Sequence, residues 1–487
     1  MARIVVVGAG VGGLACGALL AKSGYEVEVC ERNSFIGGRC SATEMRGCTI
    51  DNFVHAFFMG NEGPLAAVAS ELGEELQFIT RDPAALVLDG LGGGTRTYPQ
   101  QLDIRPLGNR LRMALDLGVR KSNLLAVNRL MQRMLTCDDE FVSSKDEITL
   151  RDFLLEYSDD PQLHRYMSVL SFMMFAVPYN QASAGEFIHC FRETFNAAGF
   201  GYVKGSSGAI PQAYRRGLEK FGGHLHLGKK VKRILSEGGK ATGVLCDGEV
   251  ITADAVISNA GINSTVTMTG AENLGEEYEE MSLGLHYSSS YVLVKYLLDE
   301  GVIDQPFIVY IPDAEAEDMF SHTCDGSIPR DTFIFMPVIE HWDPDLVAGG
   351  KQLVIAGTAA PNRPAEGDSQ AIIKVIEKRI FSLFPDFESH VIWREEVHAE
   401  HIQATSGHPR FADCFGLAQV PGQVGKDKPQ VNTPLQGLYL VGTEAGARGI
   451  GTEQAAASAQ AVAEMVRERH PLRGAAEVSI SPARRVP

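Results

Sequence analysis

The chain has 487 residues, of which 45% are hydrophobic and 22% charged, and its formal net charge is −17. This length exceeds what one hydrophobic core serves, so we expect two or three domains. The negative charge argues against a nucleic-acid partner, because phosphate binding needs basic protein surface. The sequence contains no run of about eighteen apolar residues, so we expect no membrane-spanning helix. The first predicted strand follows Met1 directly, so we expect no signal peptide and a cytoplasmic location.

Cysteine and histidine spacing gives no sign of a metal site. The nine cysteines are odd in number and contain no C-x-x-C pair, which argues against a disulfide framework and against zinc. Two histidine pairs, His224 with His226 and His398 with His401, have no third ligand close in sequence. We therefore expect reduced thiols and no metal.

The first thirty residues predict a strand, a glycine-rich turn, a helix and a second strand. Residues 3–7 (RIVVV) form a β-branched run typical of a buried strand. A helical pattern covers 13–23, and a second strand covers 25–30. The later predicted elements are a helical region over 97–200, helices and strands over 205–259 and 280–425, a buried strand over 437–442, an Ala-rich helix over 452–467 and a disordered tail over 471–487.

The first turn has the spacing of a dinucleotide-binding loop, Gly8-Ala-Gly10-Val-Gly12-Gly13. Its glycines permit a tight turn, close approach of a pyrophosphate and close packing of the helix on the strand. Phosphate is then held by free N–H groups at the positive end of the helix. Glu31 ends the next strand, where a carboxylate accepts hydrogen bonds from both ribose hydroxyls and disfavours NADP. This pattern alone does not separate FAD from NAD.

Three further motifs resemble those of the amine oxidase and phytoene desaturase superfamily. The run from Glu31 to Arg39 is similar to its second FAD motif, in which a glycine pair and an arginine approach the pyrophosphate. The resemblance implies that Arg32, Gly38 and Arg39 belong to an FAD site. The block from 204 to 261 resembles the central block of the phytoene desaturases, which implies that the backbone of Val231 meets the adenine.

The third motif lies near the C-terminus and is similar to the flavin-side motif of the superfamily. It consists of residues 437–444 (GLYLVGTE) and 449–453 (GIGTE). A glycine-rich turn here begins the Ala-rich helix, whose positive N-terminus favours the negative charge of a reduced flavin near N1 and the C2 carbonyl. The motif residues implied at the cofactor are Gly442, Thr443, Glu444, Gly451 and Thr452.

Together these motifs imply an α/β fold with a Rossmann-type, FAD-binding domain and a discontinuous α+β substrate domain. We expect residues 1–80, 205–270 and 425–470 to bind FAD noncovalently. Residues 81–204 and 271–424 are then expected to cover the isoalloxazine ring and form the substrate pocket. The electron acceptor is oxygen, a quinone, or none if the net reaction is an isomerisation.

The resemblance implies an oxidoreductase that desaturates, saturates or isomerises carbon–carbon bonds of an apolar, polyene substrate. The Met- and Phe-rich region 166–200 fits an apolar tunnel, although such a stripe is also typical of ordinary core. The basic, amphipathic segment 105–135 fits a peripheral membrane contact, although it also fits a solvated face. Three polar residues, His55, Arg448 and Glu453, are candidate catalytic groups for orienting a substrate or moving a proton.

Two other functions remain open. The sequence of Gly442, Thr443 and Glu444 is closer to that of monoamine oxidases than to that of many desaturases. Against an amine oxidase, Thr452 falls where those enzymes have a cage tyrosine, and Ser288 falls where they have a flavin-facing lysine. A non-catalytic FAD-binding partner protein is the third alternative.

Overall fold

The computed structural model describes residues 2–100 and 103–472. Within these ranges the chain forms nineteen strands. In chain order they are β1 Arg3–Val7, β2 Glu26–Cys30, β3 Ala42–Met45, β4 Cys48–Asp51, β5 Phe78–Thr80, β6 Ala85–Asp89, β7 Arg96–Gln100, β8 Gly201–Val203, β9 His224–His226, β10 Val231–Glu237, β11 Lys240–Cys246, β12 Glu249–Thr252, β13 Ala255–Ser258, β14 Ser290–Leu298, β15 Phe307–Ile311, β16 Ile334–Pro337, β17 Gln352–Ala360, β18 Val391–Val397 and β19 Leu438–Leu440.

The same ranges contain sixteen α-helices. They are α1 Val11–Lys22, α2 Pro64–Leu72, α3 Leu107–Asp116, α4 Leu124–Thr136, α5 Asp139–Ser144, α6 Leu150–Leu155, α7 Pro161–Phe175, α8 Ala184–Ala197, α9 Ala209–Lys220, α10 Ile262–Thr269, α11 Ala271–Leu274, α12 Glu276–Gly284, α13 His322–Asp325, α14 Asp368–Leu383, α15 Ala399–Ser406 and α16 Gly451–Arg469. Among the described helices, none combines the length and apolar composition needed to cross a membrane.

A five-stranded parallel sheet forms the first layer of the molecule. Its strand order is β19-β13-β1-β2-β9, so it draws on three separate stretches of the chain. The central strand β1 is apolar without alternation, and Ile4, Val5 and Val6 are fully buried. Such a continuous apolar run is what a parallel strand needs when both of its faces are covered.

Helix α1 lies in the interior of this layer. Every residue from Val11 to Ala21 is buried, because the helix packs against the sheet and against α9 and α16. A helix that is apolar all round requires partners on all sides. The Rossmann-type, α/β arrangement expected from the sequence is therefore present.

A second, seven-stranded sheet has the order β18-β14-β17-β16-β15-β6-β7. Its strand β14 is buried over all nine residues, and successive side chains alternate between two cores. Tyr291 and Leu293 pack in the core shared with helices α3–α8, the helical layer, whereas Val292 and Val294 pack in the core beneath α14. This sheet stands between the helical layer and α14.

The helical region expected over 97–200 is the layer α3–α8, and its first residues still belong to β7. Helix α7 is buried from Leu163 to Phe175 and carries most of the Met- and Phe-rich stretch. Asp160 caps its N-terminus by accepting a hydrogen bond from the N–H of Gln162. Much of this stretch is core in the ordinary sense.

The cysteines and the C-terminus complete the description. All nine cysteines are free thiols. Of the tail expected over 471–487, Leu472 packs against the core of the first layer. Residues 473–487 lie outside the described residues, and the prediction for them stays a prediction.

Candidate functional site

A cavity of about 620 Å³ lies where the first layer meets the second sheet. It begins at the carboxyl ends of the parallel strands β1 and β2, the usual position for a ligand in an open α/β sheet. The N-termini of α1 and α16 both open on it, and neither has a side-chain cap. Residues of β14 and β16, among them Tyr291 and Phe335, form the opposite wall.

The glycine-rich turn lies along the floor of this cavity. Gly8, Gly10 and Gly12 line it, whereas Gly13 lies behind them. The N–H of Gly13 donates to Oδ1 of Asn259 at 2.9 Å, and a Cβ at Gly13 would collide with the carbonyl oxygen of Gly8. The turn therefore brings backbone N–H groups and the positive end of α1 to the cavity.

Glu31 closes one end of the turn. Its carboxylate is buried and accepts hydrogen bonds from the N–H groups of Ala9 at 2.8 Å and Asn33 at 2.7 Å. Each carboxylate oxygen has a second lone pair that these bonds leave for a ligand hydroxyl. Val231, expected beside the adenine, lines the same end of the cavity.

The two arginines of the second motif also line the cavity, as does Gly38. Arg32 donates to the carbonyl oxygens of Ala404 and Thr405 through Nη2. Arg39 donates through Nη1 to the Asp413 carboxylate at 2.7 Å and to the Asp413 carbonyl at 2.8 Å. Through these hydrogen bonds the two arginines hold the ends of the loop over 405–415, which lines the cavity.

This loop also contributes two groups that no sequence motif indicated. Nδ1 of His408 accepts hydrogen bonds from the N–H groups of Arg410 and Phe411, so the ring proton is on Nε2. Burial lowers the pKa of His408, which favours this neutral form. Nε2 of His408 and Oδ1 of Asp413 are buried, and each lacks a hydrogen-bond partner among the described residues. Both residues line the cavity.

The C-terminal motif forms the far end of the cavity. Gly442, Thr443, Glu444, Gly451, Thr452 and Glu453 all line it. Oε2 of Glu444 accepts from the N–H of Ile262 at 2.8 Å and from the hydroxyl of Tyr287 at 3.1 Å. Burial, with a smaller effect of the nearby Asp413 carboxylate, raises the pKa of Glu444 to about 7. This carboxyl therefore stands between its charged and neutral forms near neutral pH.

Glu453 connects α16 to the apolar wall. Its Oε1 accepts from the N–H groups of Phe58 and Met59, both at 2.9 Å. Burial raises the pKa of Glu453 to about 7, although these two hydrogen bonds oppose the shift. A buried carboxyl of this kind holds or releases a proton near neutral pH.

The other two candidate catalytic residues differ in position. His55 lines the cavity, and its Nδ1 lies 3.2 Å from the Phe53 carbonyl oxygen and 3.7 Å from Oδ2 of Asp51. Arg448 does not line the cavity. Its guanidinium pairs with the carboxylates of Asp146 at 2.6 Å and Glu186 at 2.8 Å, which makes it a support for the turn before α16.

Comparison with known proteins identifies the family of this chain. The model of the family described as flavin containing amine oxidoreductase matches residues 11–467. The chain belongs to this family. It is an FAD-dependent oxidoreductase, as the sequence motifs imply.

Several curated relatives of this flavin containing amine oxidoreductase are similar over nearly their full lengths. A zeta-carotene-forming phytoene desaturase from Myxococcus xanthus is 26% identical over 90% of this chain and 89% of its own length. A 4,4'-diapolycopen-4-al dehydrogenase from Metabacillus indicus is 22% identical over 90% of this chain and 92% of its own.

Solved structures share the fold. An oxidoreductase from Methanosarcina mazei has a TM-score of 0.68 at 20% identity, covering 95% of this chain and all of its own. Putrescine oxidase bound to putrescine has a TM-score of 0.66 at 13% identity, covering 96% of this chain and 99% of its own.

The residues of this flavin containing amine oxidoreductase fit FAD. Two uncapped helix N-termini suit a pyrophosphate at α1 and a flavin that gains negative charge at α16. The buried Nε2–H of His408 is a donor in need of an acceptor, and Oδ1 of Asp413 is an acceptor in need of a donor. A dinucleotide with phosphate oxygens and ribose or ribityl hydroxyls supplies both. Gly8, Gly10, Glu31, Arg39 and Val231 line the same cavity and would hold the rest of it.

Proposed function

We propose that this enzyme acts on carbon–carbon bonds of an apolar, polyene or isoprenoid substrate, by desaturation, saturation or isomerisation. The apolar wall opposite the nucleotide-binding turn carries this proposal. Its side chains are aromatic or aliphatic and belong to Phe58, Met173, Tyr291, Leu293 and Phe335. An apolar chain held there is desolvated without loss of hydrogen bonds. Relatives named as desaturases of phytoene and diapophytoene support the same substrate class.

When bound, FAD supplies the hydride chemistry of such a reaction. The chain itself positions the substrate and excludes water. Phe58 packs edge-to-face on Phe200, and its backbone N–H is held by Glu453. Glu453 therefore fixes the apolar wall and is the buried group best placed to hold a proton beside it.

An amine oxidase is the second candidate, because solved structures with this fold include putrescine oxidase. Such an enzyme needs polar recognition of an amine. Ser288, at the sequence position of the amine oxidase lysine, does not line the cavity, and its hydroxyl accepts a hydrogen bond from the N–H of Phe415. Thr452, at the sequence position of the cage tyrosine of monoamine oxidases, lines the cavity. These two positions favour the carbon–carbon reaction.

The same proposal assigns separate stretches of the chain to FAD binding and to substrate binding. Residues 1–80, 205–270 and 425–470 bind FAD, and residues 81–204 and 271–424 form the substrate domain. The strands of the five-stranded sheet all come from the first group, which supports this division. Phe335 and Met173, on the apolar wall, come from the second group.

We further propose that the enzyme is cytoplasmic and contacts membranes at their periphery through α3 and α4. Leu107, Leu115 and Leu125 are 53%, 49% and 75% exposed. Arg129 lies one turn beyond Leu125, and Lys121 is exposed just before α4. Exposed leucines beside cations suit an interface of apolar chains and anionic headgroups, where polyenes dissolve.

Anaerobic reduction of the bound flavin tests the reaction class. The purified holoenzyme should be yellow. A polyene set that includes phytoene should bleach the oxidised flavin if the reaction is desaturation, restore the absorbance of the reduced flavin if it is saturation, and yield an isomer with no net flavin change if it is isomerisation. A matched set of primary and secondary amines should leave the flavin absorbance unchanged. Bleaching by amines alone would establish the second candidate, and a protein that never binds added FAD would contradict both.

A further inference from the structure

A smaller cavity of about 60 Å³ adjoins the flavin cavity. Phe58 and Met173 line both spaces, so they form the boundary between them. The smaller cavity lies between α7, α8 and the strands β6, β7 and β15. Its walls are mainly apolar, and include Val87, Val169, Phe195, Phe200, Phe307 and Val309.

One polar group in this wall has no partner. Thr194, on α8, is 4% exposed, and its hydroxyl oxygen is buried without a hydrogen bond to any described residue. The other polar side chains here, Tyr166 and Gln100, bond to each other at 2.9 Å, from the tyrosine hydroxyl to Oε1. A buried hydroxyl that has lost water and gained no partner is destabilising. The Thr194 hydroxyl is therefore free to bond to a group other than the described residues of the chain.

We propose that the smaller cavity receives one end of the substrate and that this end bears an oxygen, as a hydroxyl or a carbonyl, which bonds to Thr194. The proposal rests on the proposed function, because an apolar chain lying along the flavin cavity would reach this space past Phe58 and Met173. The rest of the wall is mainly apolar, and the Tyr166 hydroxyl in it already donates to Gln100. Thr194 thus determines specificity for the end group and takes no part in the chemistry.

The physical reason for selectivity is the difference between a paired and an unpaired hydroxyl. An oxygen-bearing end satisfies Thr194, whereas a hydrocarbon end of the same shape leaves it buried and unpaired. Sites built to hydrogen-bond a ligand oxygen discriminate strongly against analogues that lack it. We expect about tenfold tighter binding of the oxygen-bearing chain.

The test compares two probes on the FAD-loaded enzyme, geranylgeraniol and the hydrocarbon that lacks only its hydroxyl. Binding is measured from the perturbation of the oxidised flavin absorbance, which needs no turnover. The wild type should bind the alcohol about tenfold more tightly. Thr194→Val, which keeps the shape and removes the hydroxyl, should bind both equally, and Thr194→Ser should keep the preference.

Thermal unfolding separates recognition from a structural role. Because the Thr194 hydroxyl has no partner, Thr194→Val should be at least as stable as the wild type. Equal affinities of the wild type for the two probes, an unchanged preference in Thr194→Val, or binding of neither probe would each overturn the proposal. Failure of polyenes to reduce the oxidised flavin, to reoxidise the reduced flavin or to yield an isomer would instead contradict the proposed function while this binding preference stands.

Discussion

Buried carboxyl groups set the electrostatics of this site at the scale of single residues. Glu453 has a pKa of about 7 in the folded chain, and the ordinary glutamate value is 4.5. Because the folded state binds the proton more tightly, this group makes the chain less stable as the pH rises from about 4.5 to about 7. The lost stability is greatest above pH 7, where the buried side chain is charged.

Replacement of Glu453 by glutamine removes this charge and keeps an oxygen for the N–H groups of Phe58 and Met59. We expect the Glu453→Gln apoprotein to gain stability relative to the wild type as the pH rises from 5 to 8, by up to about 3 kcal/mol. Urea unfolding at each pH measures the effect. Glu464→Gln, exposed on the same helix, should show no such trend, and an equal trend in both variants would contradict this account.

His408 offers a test of the cofactor site. His408→Phe keeps a ring but removes the buried Nε2–H together with the Nδ1 acceptor of the Arg410 and Phe411 N–H groups, so we expect FAD affinity to fall by about tenfold or more. Fluorescence titration of the apoprotein with FAD measures the dissociation constant. His401→Phe is the matched control, because His401 is a nearby histidine that does not line the cavity. Unchanged FAD affinity in His408→Phe would show that the buried Nε2–H of His408 does not bind FAD.

The residues that the sequence identified and those it missed differ in kind. Gly8, Gly10 and Glu31 were identifiable because backbone approach to a phosphate requires fixed spacings close in sequence. His408 and Thr194 were not, because each is notable only for a missing partner. Whether a buried donor is satisfied depends on what the fold brings near it, and no spacing records that.

At the scale of elements, helix α1 depends on close contact with the strand before it. Gly13→Ala places a Cβ against the carbonyl oxygen of Gly8, so we expect lost stability and lost FAD binding together. Gly17→Ala on the same helix meets only valine side chains, the nearest atom at 3.2 Å, and gains helix propensity. Thermal unfolding and flavin retention should therefore separate the two variants. Similar behaviour of both would contradict the packing role of Gly13.

The surface helices α3 and α4 allow a test of membrane contact. Leu125→Glu replaces the most exposed of the three leucines and adds a negative charge. We expect it to reduce co-sedimentation with phosphatidylserine vesicles severalfold, and the wild type to release as salt rises. Leu283→Glu is the control, since Leu283 is 52% exposed on α12, elsewhere in the chain. Equal recovery of all three proteins in the supernatant would contradict the proposal.

Elements with strong periodicity were predictable, and their ends were less so. The predicted helix over 452–467 is α16, Gly451–Arg469, and the predicted strand over 437–442 is the shorter β19. The region 97–200 was predicted only as helical. It divides into six helices, several of which begin at a capping side chain such as Asp138, Thr149 or Ser183.

At the scale of the whole molecule, the cavities could not be predicted from the sequence. The apolar wall is built from Phe58, Met173, Tyr291 and Phe335, which are far apart in the chain. The Met- and Phe-rich pattern of 166–200 showed that the region is apolar. Its division into core and cavity wall depends on packing against β6, β7 and β15, and that packing is a property of the fold.

The strand order of the five-stranded sheet also determines when the cofactor site can form during synthesis of the chain. Its edge strand β19 and the flavin-side helix α16 are the last described elements of the chain, whereas β1 and the phosphate turn are the first. A ribosome therefore releases the two halves of the cofactor site at opposite ends of synthesis. Domains fold as units, so this one must wait until β19 and α16 have been synthesised. FAD should bind only after that point, and a product truncated before β19 should be colourless.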